Sequence, residues 1–333
     1  MPILKNPNID FLRLRWPAVG LSAAIIVAGA IMMAMQGGPS LGIDFSGGTI
    51  IIVQFDEPVT EDQVRTAIGS VVDQGVVQQY GDASANEMLI RLPQGGEEQG
   101  TSLEEGANDV RAALQQSSIG GFTVVGQELV GPVIGEELTR RGRNAFVFAM
   151  LGILIYIGLR FRFSFAVGAI IAVAHDIVIT LALLTFFGFD LSLNVVAAML
   201  TITGYSVNDS IVVFDRVREN LRSMRRDAFD SLVNTSINQT LSRTIITSGT
   251  TAFTAGALFV AGGEVLRGFA FTILVGVISG TYSTIFIAAA AAIVISERRA
   301  SRRAAAVAEH APAASKVKPK RRGAKKARAR ARA

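Results

Sequence analysis

Three ionisable side chains stand in or beside long apolar runs of this sequence: Asp176, Asp209 and Arg243, with His175 next to the first. A charge at membrane depth is costly, so each marks a functional site unless it is paired for packing. An arginine keeps its proton under working conditions, so in an Asp209–Arg243 pair the carboxyl would be the titrating member. Breaking and remaking that pair would let protonation track a helix movement. Plainer readings stand beside this one. Asp209 can also be read as a structural carboxylate, and Arg243 equally as an anchor that snorkels to the interface. His175-Asp176 reads as a buried structural contact or as a proton carrier. The chain has no Cys and two His, which excludes disulfides and thiol catalysis and leaves no multi-histidine zinc site.

The elements that carry these groups are helices. At about 100° per residue, Asn194, Thr201, Tyr205, Asn208 and Asp209 fall on one helical face. Such a polar stripe is expected in the interior of the bundle, away from lipid. Thr244, Thr247, Ser248, Thr250, Thr251 and Thr254 cluster around one side of the next helix, with Arg243 at the edge of that face. Gly276 and Gly280 have the spacing that permits close helix approach.

The chain has 333 residues, half of them hydrophobic and 18% charged, with a mean hydropathy of +0.42. That excludes general disorder and argues against an ordinary soluble domain. The apolar residues fall into six runs: Pro17–Met35, Ala145–Leu159, Ser164–Phe187, Leu191–Phe214, Thr244–Ala261 and Phe269–Ile295. Each approaches or exceeds the roughly 20 residues that cross a hydrocarbon core. The first is longer than the apolar core of a signal peptide and reads as an uncleaved span over 17–37. The expected fold is a polytopic α-helical membrane protein with six spans, one followed by five.

Lys and Arg set the orientation. With the N-terminus inside, 25 of the 32 fall on the inner side: in residues 1–16, at Arg160 and Arg162, in 215–243 and in 296–333. Both termini are therefore expected in the cytoplasm. The fourth helix then runs inward and the fifth outward, which puts Asp209 and Arg243 at similar depth.

Residues 38–142 would lie outside as a folded α+β domain. Thr49–Phe55, Val76–Tyr80, Met88–Leu92 and Phe122–Leu129 read as strands. Thr60–Gly69 and Leu103–Gln116 read as helices, with Thr60 as N-cap and Gln63 completing a capping box. Gly95–Thr101 reads as a loop. The order βαββαβ predicts a ferredoxin-like domain.

Asp215–Ser242 is polar and basic and reads as an amphipathic hairpin against the inner leaflet. The tail over 296–333 carries 14 basic and 2 acidic residues and is expected to be disordered and to attract anionic lipid. The formal net charge of +5 therefore averages a basic tail with an acidic outer segment, where 38–142 holds 5 basic and 16 acidic residues. No aromatic or folded module accompanies the tail's charge, so no specific nucleic-acid partner is expected.

Several segments resemble the SecF side of the SecD/SecF family. They are Gly42-Ile43-Asp44-Phe45-Ser46-Gly47-Gly48-Thr49, Val130 to Gly135, Ala174-His175-Asp176, Gly204 to Asn220 and Asn238 to Thr251. The resemblance covers about residues 10–297, and its fourth- and fifth-helix segments are the specific ones. It implies an RND-type half that pairs with SecD, often with YajC, beside the SecYEG channel. It implies use of the proton-motive force to help preproteins leave on the outer side of the bacterial inner membrane, after the push by SecA. It links the positions of Asp209 and Arg243 to proton passage and lends some support to Asp176; His175, Tyr205, Asn208, Thr247 and Thr251 are expected beside them as supporting polar groups. The basic tail lies outside the resemblance.

Two other functions remain open on the sequence: half of an RND-type lipid or drug exporter, and a scaffold that holds translocase parts together. A midbundle carboxylate argues against the scaffold. There is no GxxxxGK[ST] loop, so no ATPase or other enzyme activity is expected and no cofactor is implied.

Overall fold

The computed structural model describes residues 7–69, 76–81, 83–92, 103–161, 163–224 and 227–310. A 3-10 turn, Leu12–Leu14, leads into α1 (Arg15–Met35). Next come a one-turn α2 (Ile43–Ser46), β1 (Gly48–Phe55), α3 (Glu61–Ile68), β2 (Val76–Tyr80) and β3 (Glu87–Leu92). Then follow α4 (Leu103–Gln116), β4 (Phe122–Val130), α5 (Pro132–Arg160), α6 (Phe163–Phe186), α7 (Leu193–Ser223) and α8 (Phe229–Ala261). The last helix is interrupted: α9 (Gly263–Ser283) passes through a π-helical turn, Thr284–Ala288, into α10 (Ala289–His310).

The four strands form one antiparallel sheet in the order β2-β3-β1-β4. Ile51 lies opposite Ile90 on one side and Gln127 on the other. With α3 and α4 as crossovers, this is the ferredoxin-like arrangement expected from the element order. Alternate strand residues Ile51, Val53, Phe55 and Ile90 join Val64, Ile68, Val110 and Leu114 in one buried core. The capping box closes as expected: the Gln63 N–H donates to Thr60 Oγ1, and the Thr60 N–H donates to Gln63 Oε1 at 2.8 Å. The expected loop at Gly95–Thr101 lies outside the described residues.

Six helices are long and apolar enough to cross a membrane: Leu12–Met35, Val133–Arg160, Phe163–Phe186, Leu193–Ser223, Phe229–Ala261 and Val265–Arg299. About half of the third, fourth and sixth is buried, whereas the first, second and fifth are mostly exposed. The count matches the expectation, but the ends differ. α5 begins at Pro132, because proline suits a first helical turn and polar residues 136–144 continue the same helix. The expected hairpin over 215–242 is not a separate element. It is the prolongation of α7 and α8. Asn220 Nδ2 donates to Ser236 Oγ and Gln239 Oε1, both at 2.8 Å, and these bonds hold the extensions side by side.

The tail differs too. Residues 294–310, the described part of a second unit, continue the helix to His310. Alanine, arginine and glutamate are strong helix formers, which accounts for helix where disorder was expected. Residues 311–333 lie outside the described residues.

Candidate functional site

Three helices bury the polar groups. On α9, Gly276 and Gly280 let α7 approach closely. A Cβ on Gly276 would meet Ile202 Cδ1 at 2.1 Å, and one on Gly280 would meet Ser206 Cβ at 3.0 Å. This contact brings Ser206, Ser279 and Ser283 around Asp176 of α6.

Asp176 is 3% exposed and its carboxylate is fully engaged. Oδ2 accepts from Ser206 Oγ at 2.6 Å and Ser283 Oγ at 2.7 Å. Oδ1 accepts from Ser279 Oγ at 2.7 Å and lies 3.1 Å from His175 Nδ1. The network then crosses to α1. His175 Nε2 is 2.8 Å from Ser22 Oγ, which is 3.0 Å from the Tyr282 hydroxyl. The Tyr282 hydroxyl donates to the Ala18 carbonyl. Its one proton is thereby used, so Ser22 donates to Tyr282 and His175 Nε2 donates to Ser22. Ser22, Ser279, Ser283 and Tyr282 were not singled out in the sequence. The visible signal was the four-residue spacing of Ser279 and Ser283 next to the glycines.

Asp209 of α7 is also buried, at 7% exposure, but is only partly engaged. Oδ1 accepts from the Thr244 hydroxyl of α8 at 2.8 Å. Oδ2 is buried and has no hydrogen-bond partner among the described residues. Arg243 does not close onto it: no ion pair between the two is present among the described residues. The reason is angular. Thr244 faces Asp209, so Arg243, one residue earlier, is turned by about 100° to the exposed side.

The polar stripe on α7 is placed differently from the expectation. Asn194, Thr201 and Asn208 are exposed, as is Gly204, while Asp209 sits at the edge of the stripe and turns inward. Arg243, Thr247, Thr250 and Thr254 of α8 are exposed as well. Thr247 and Thr251 spend their hydroxyls on carbonyls one helical turn back. Tyr205 bridges the two helices, donating to Ser248 Oγ at 3.2 Å. This chain therefore leaves a polar surface at membrane depth uncovered.

A short clasp secures the N-terminal end of α7. Asp44 Oδ2 accepts from the Leu193 N–H at 2.8 Å, and Ser192 Oγ accepts from Val195 N at 3.3 Å. The Gly42 N–H donates to the Leu191 carbonyl at 2.8 Å, and the Leu191 N–H donates to the Ser40 carbonyl at 2.7 Å. Arg91 of β3 forms an ion pair with Asp190 in the loop between α6 and α7. Gly47 and Gly48 both have positive φ, at 68° and 120°, which turns the chain from α2 into β1.

Comparison with known proteins places these features in a family. Residues 110–298 match the family described as protein export membrane protein SecD/SecF, C-terminal, and residues 36–59 match the SecD/SecF GG motif. The protein translocase subunit SecF of Desulfurispirillum indicum is 42% identical over 84% of this chain and 90% of its own length. That of Escherichia coli O157:H7 is 38% identical over 84% and 85%. The crystal structure of SecDF from Thermus thermophilus, titled a translocon-associated membrane protein, superposes with a TM-score of 0.74 at 36% identity. The match covers 88% of this chain but 39% of that one, so the chain spans about two fifths of the SecDF polypeptide. On this similarity, and with the spans and GG segment described above, the chain belongs to the SecF family of SecD/SecF protein-export membrane proteins.

Proposed function

We propose that this chain is the SecF-type subunit of a Sec protein translocase and couples proton movement to preprotein export. The observation that carries the reading is Asp209: a buried carboxylate at membrane depth, with one oxygen held by Thr244 and the other unpartnered. A fixed structural carboxylate such as Asp176 has its oxygens satisfied; Asp209 keeps an acceptor in reserve. The exposed polar face of α7 and α8 needs a partner in the membrane, and SecD is that partner. The SecDF chains, more than twice as long, support this assignment. The excess of Lys and Arg supports a multi-pass inner-membrane protein with both termini in the cytoplasm and the α+β domain outside. SecYEG supplies the channel, YajC accompanies the pair, and SecA acts earlier on the same substrate.

In this reading a proton from the outer side reaches Asp209. Arg243 approaches the deprotonated form and withdraws from the neutral one. The change shifts the α7–α8 surface against SecD and moves the outer domain, which holds or releases the emerging chain. One proton carries roughly 2.3 kcal/mol per 100 mV, so a few drive a domain motion. The test is Asp209→Asn and Arg243→Met, each coexpressed with SecD, with completion of export followed in membrane vesicles. Both variants are expected to assemble with SecD and lose the response to the proton gradient. If completion keeps its full dependence on the gradient in both, the reading is wrong.

A further inference from the structure

The segment that leads into α1 runs along one face of α8 and is held there by side chains of that helix. Asp230, Asn234 and Asn238 follow one another on α8 at four-residue spacing, which sets them on one face. Asn238 grips the main chain of Ile9. The Ile9 N–H donates to Asn238 Oδ1 at 2.9 Å, and Asn238 Nδ2 donates to the Ile9 carbonyl at 2.8 Å. Asn234 Nδ2 donates to the same carbonyl at 3.0 Å, and the Phe11 N–H donates to Asn234 Oδ1 at 3.0 Å. Arg15 ends the row in an ion pair with Asp230 at 3.5 Å.

Two carboxamides thus satisfy one stretch of backbone as a neighbouring strand would. Ile9 is 44% exposed, so the grip is on its peptide groups and not on its side chain. The stretch is anchored just beyond. Leu12 is buried in the same apolar core as Ile237 and Leu241 of α8. The Phe11 ring packs edge-on against Phe286 of the π-helical turn, with centroids 6.1 Å apart.

Asn238 stands five residues before Arg243 and six before Thr244, about 8–9 Å along the axis. Over so short a length the helix turns as one piece. Whatever fixes the rotation of Asn234 and Asn238 therefore fixes that of Arg243 and Thr244. A turn of about 30° sweeps an amide about 5 Å from the axis through about 2.6 Å, more than these short side chains follow with all four bonds intact. The bonds from Asn220 to Ser236 and Gln239 hold another side of the same stretch.

We infer that Asn234 and Asn238 are positioning residues: through their grip on residues 9–11 they hold α8 at the rotation that presents Thr244, and not Arg243, to Asp209. The inference rests on the roles of Asp209 and Arg243 given under Proposed function. Arg243 approaches the carboxylate by a turn of α8, and the grip yields when it does. The gripped segment lies outside the α-helices, so it can yield without unfolding one.

The experiment uses the full chain coexpressed with SecD, in isolated membranes. The chain has no Cys, so Asp209→Cys is combined with Thr244→Cys or with Arg243→Cys in an otherwise unchanged background. A disulfide needs Cα atoms within about 7 Å, so the two yields on mild oxidation report which residue of α8 faces position 209. The 209–244 pair is expected to dominate. With Asn234→Ala and Asn238→Ala added, the ratio of the 209–243 to the 209–244 yield should rise about tenfold, equivalent to roughly 1.4 kcal/mol. Ile9→Pro, which removes the gripped N–H, should raise the ratio in the same way, and Ile9→Ala should leave it unchanged. A purely structural role for the two asparagines would lower both yields together. An unchanged ratio in the Asn or the Pro variant overturns the inference, and so does an Ile9→Ala ratio as high as that of Ile9→Pro. The ratio is read with no proton gradient and no carboxylate at position 209, so it holds or fails separately from the export test of Asp209→Asn and Arg243→Met.

Discussion

Two buried aspartates one helix apart illustrate opposite uses of the same side chain. Asp176 accepts from three serine hydroxyls, so truncating it strands the buried donors of Ser206 and Ser279, while Ser283 keeps the Gly280 carbonyl. Asp176→Ala is expected to lose about 2–4 kcal/mol of stability, and Asp209→Ala less than half of that. Thermal unfolding of both variants in one detergent decides this, and equal losses would contradict it. The hydrogen bond from His175 to Ser22 has its own readout. The only other histidine is His310, so a His310→Gln chain carries a single imidazole. Its 15N spectrum is expected to show a proton on Nε2, the nitrogen that donates to Ser22. A neutral ring protonated only at Nδ1 would refute the donor assignment. At this scale the sequence was partly legible. The ionisable residues stood out because charge is rare among apolar runs. Their partners did not, because serine is unremarkable in a helix until the fold sets it beside a carboxylate.

Elements were more legible than their ends. Six apolar runs gave six spans, and alternation with turn residues gave the βαββαβ domain. The starts of α5 and α8, at Pro132 and Phe229, lay well before the apolar runs Ala145–Leu159 and Thr244–Ala261. Hydropathy reports contact with lipid, whereas these polar turns are held by hydrogen bonds to neighbouring helices. The side on which the α7 stripe faces was illegible for a related reason: periodicity defines a face but not what covers it. Close approach of α7 and α9 depends on two glycines. Gly276→Ala would drive a methyl group into Ile202 and is expected to cost about 1–3 kcal/mol, as overpacking does. Chemical denaturation with an α7 reporter should show the loss, and an unchanged midpoint would mean that the helices can separate freely. The π-helical turn Thr284–Ala288 adds a residue just past Ser283. It adjusts the rotation of the helix beyond the serines that bind Asp176.

For the whole molecule, the α+β domain and the bundle are joined by more than covalent chain. Arg91 and Asp190 are each mostly buried, at 16% and 24% side-chain exposure, and form the ion pair between them. A double-mutant cycle with Arg91→Gln and Asp190→Asn is expected to give a coupling of about 0.5–3 kcal/mol. Additive losses would show that this ion pair adds nothing to the join. The same helix that this loop introduces gathers the other features. α7 has 31 residues and is about 46 Å long. Its first N–H is capped by Asp44 from the GG segment, its far turns carry Arg218 and Arg222, and Asp209 falls at its midpoint. A stiff beam that turns about its centre moves both ends equally and in opposite directions. A tilt of about 10° about Asp209 carries each end by about 4 Å, more than the length of a hydrogen bond. A see-saw pivoted at the carboxylate would therefore raise the end capped by Asp44 while it lowers the end that carries Arg218 and Arg222, in a single stroke.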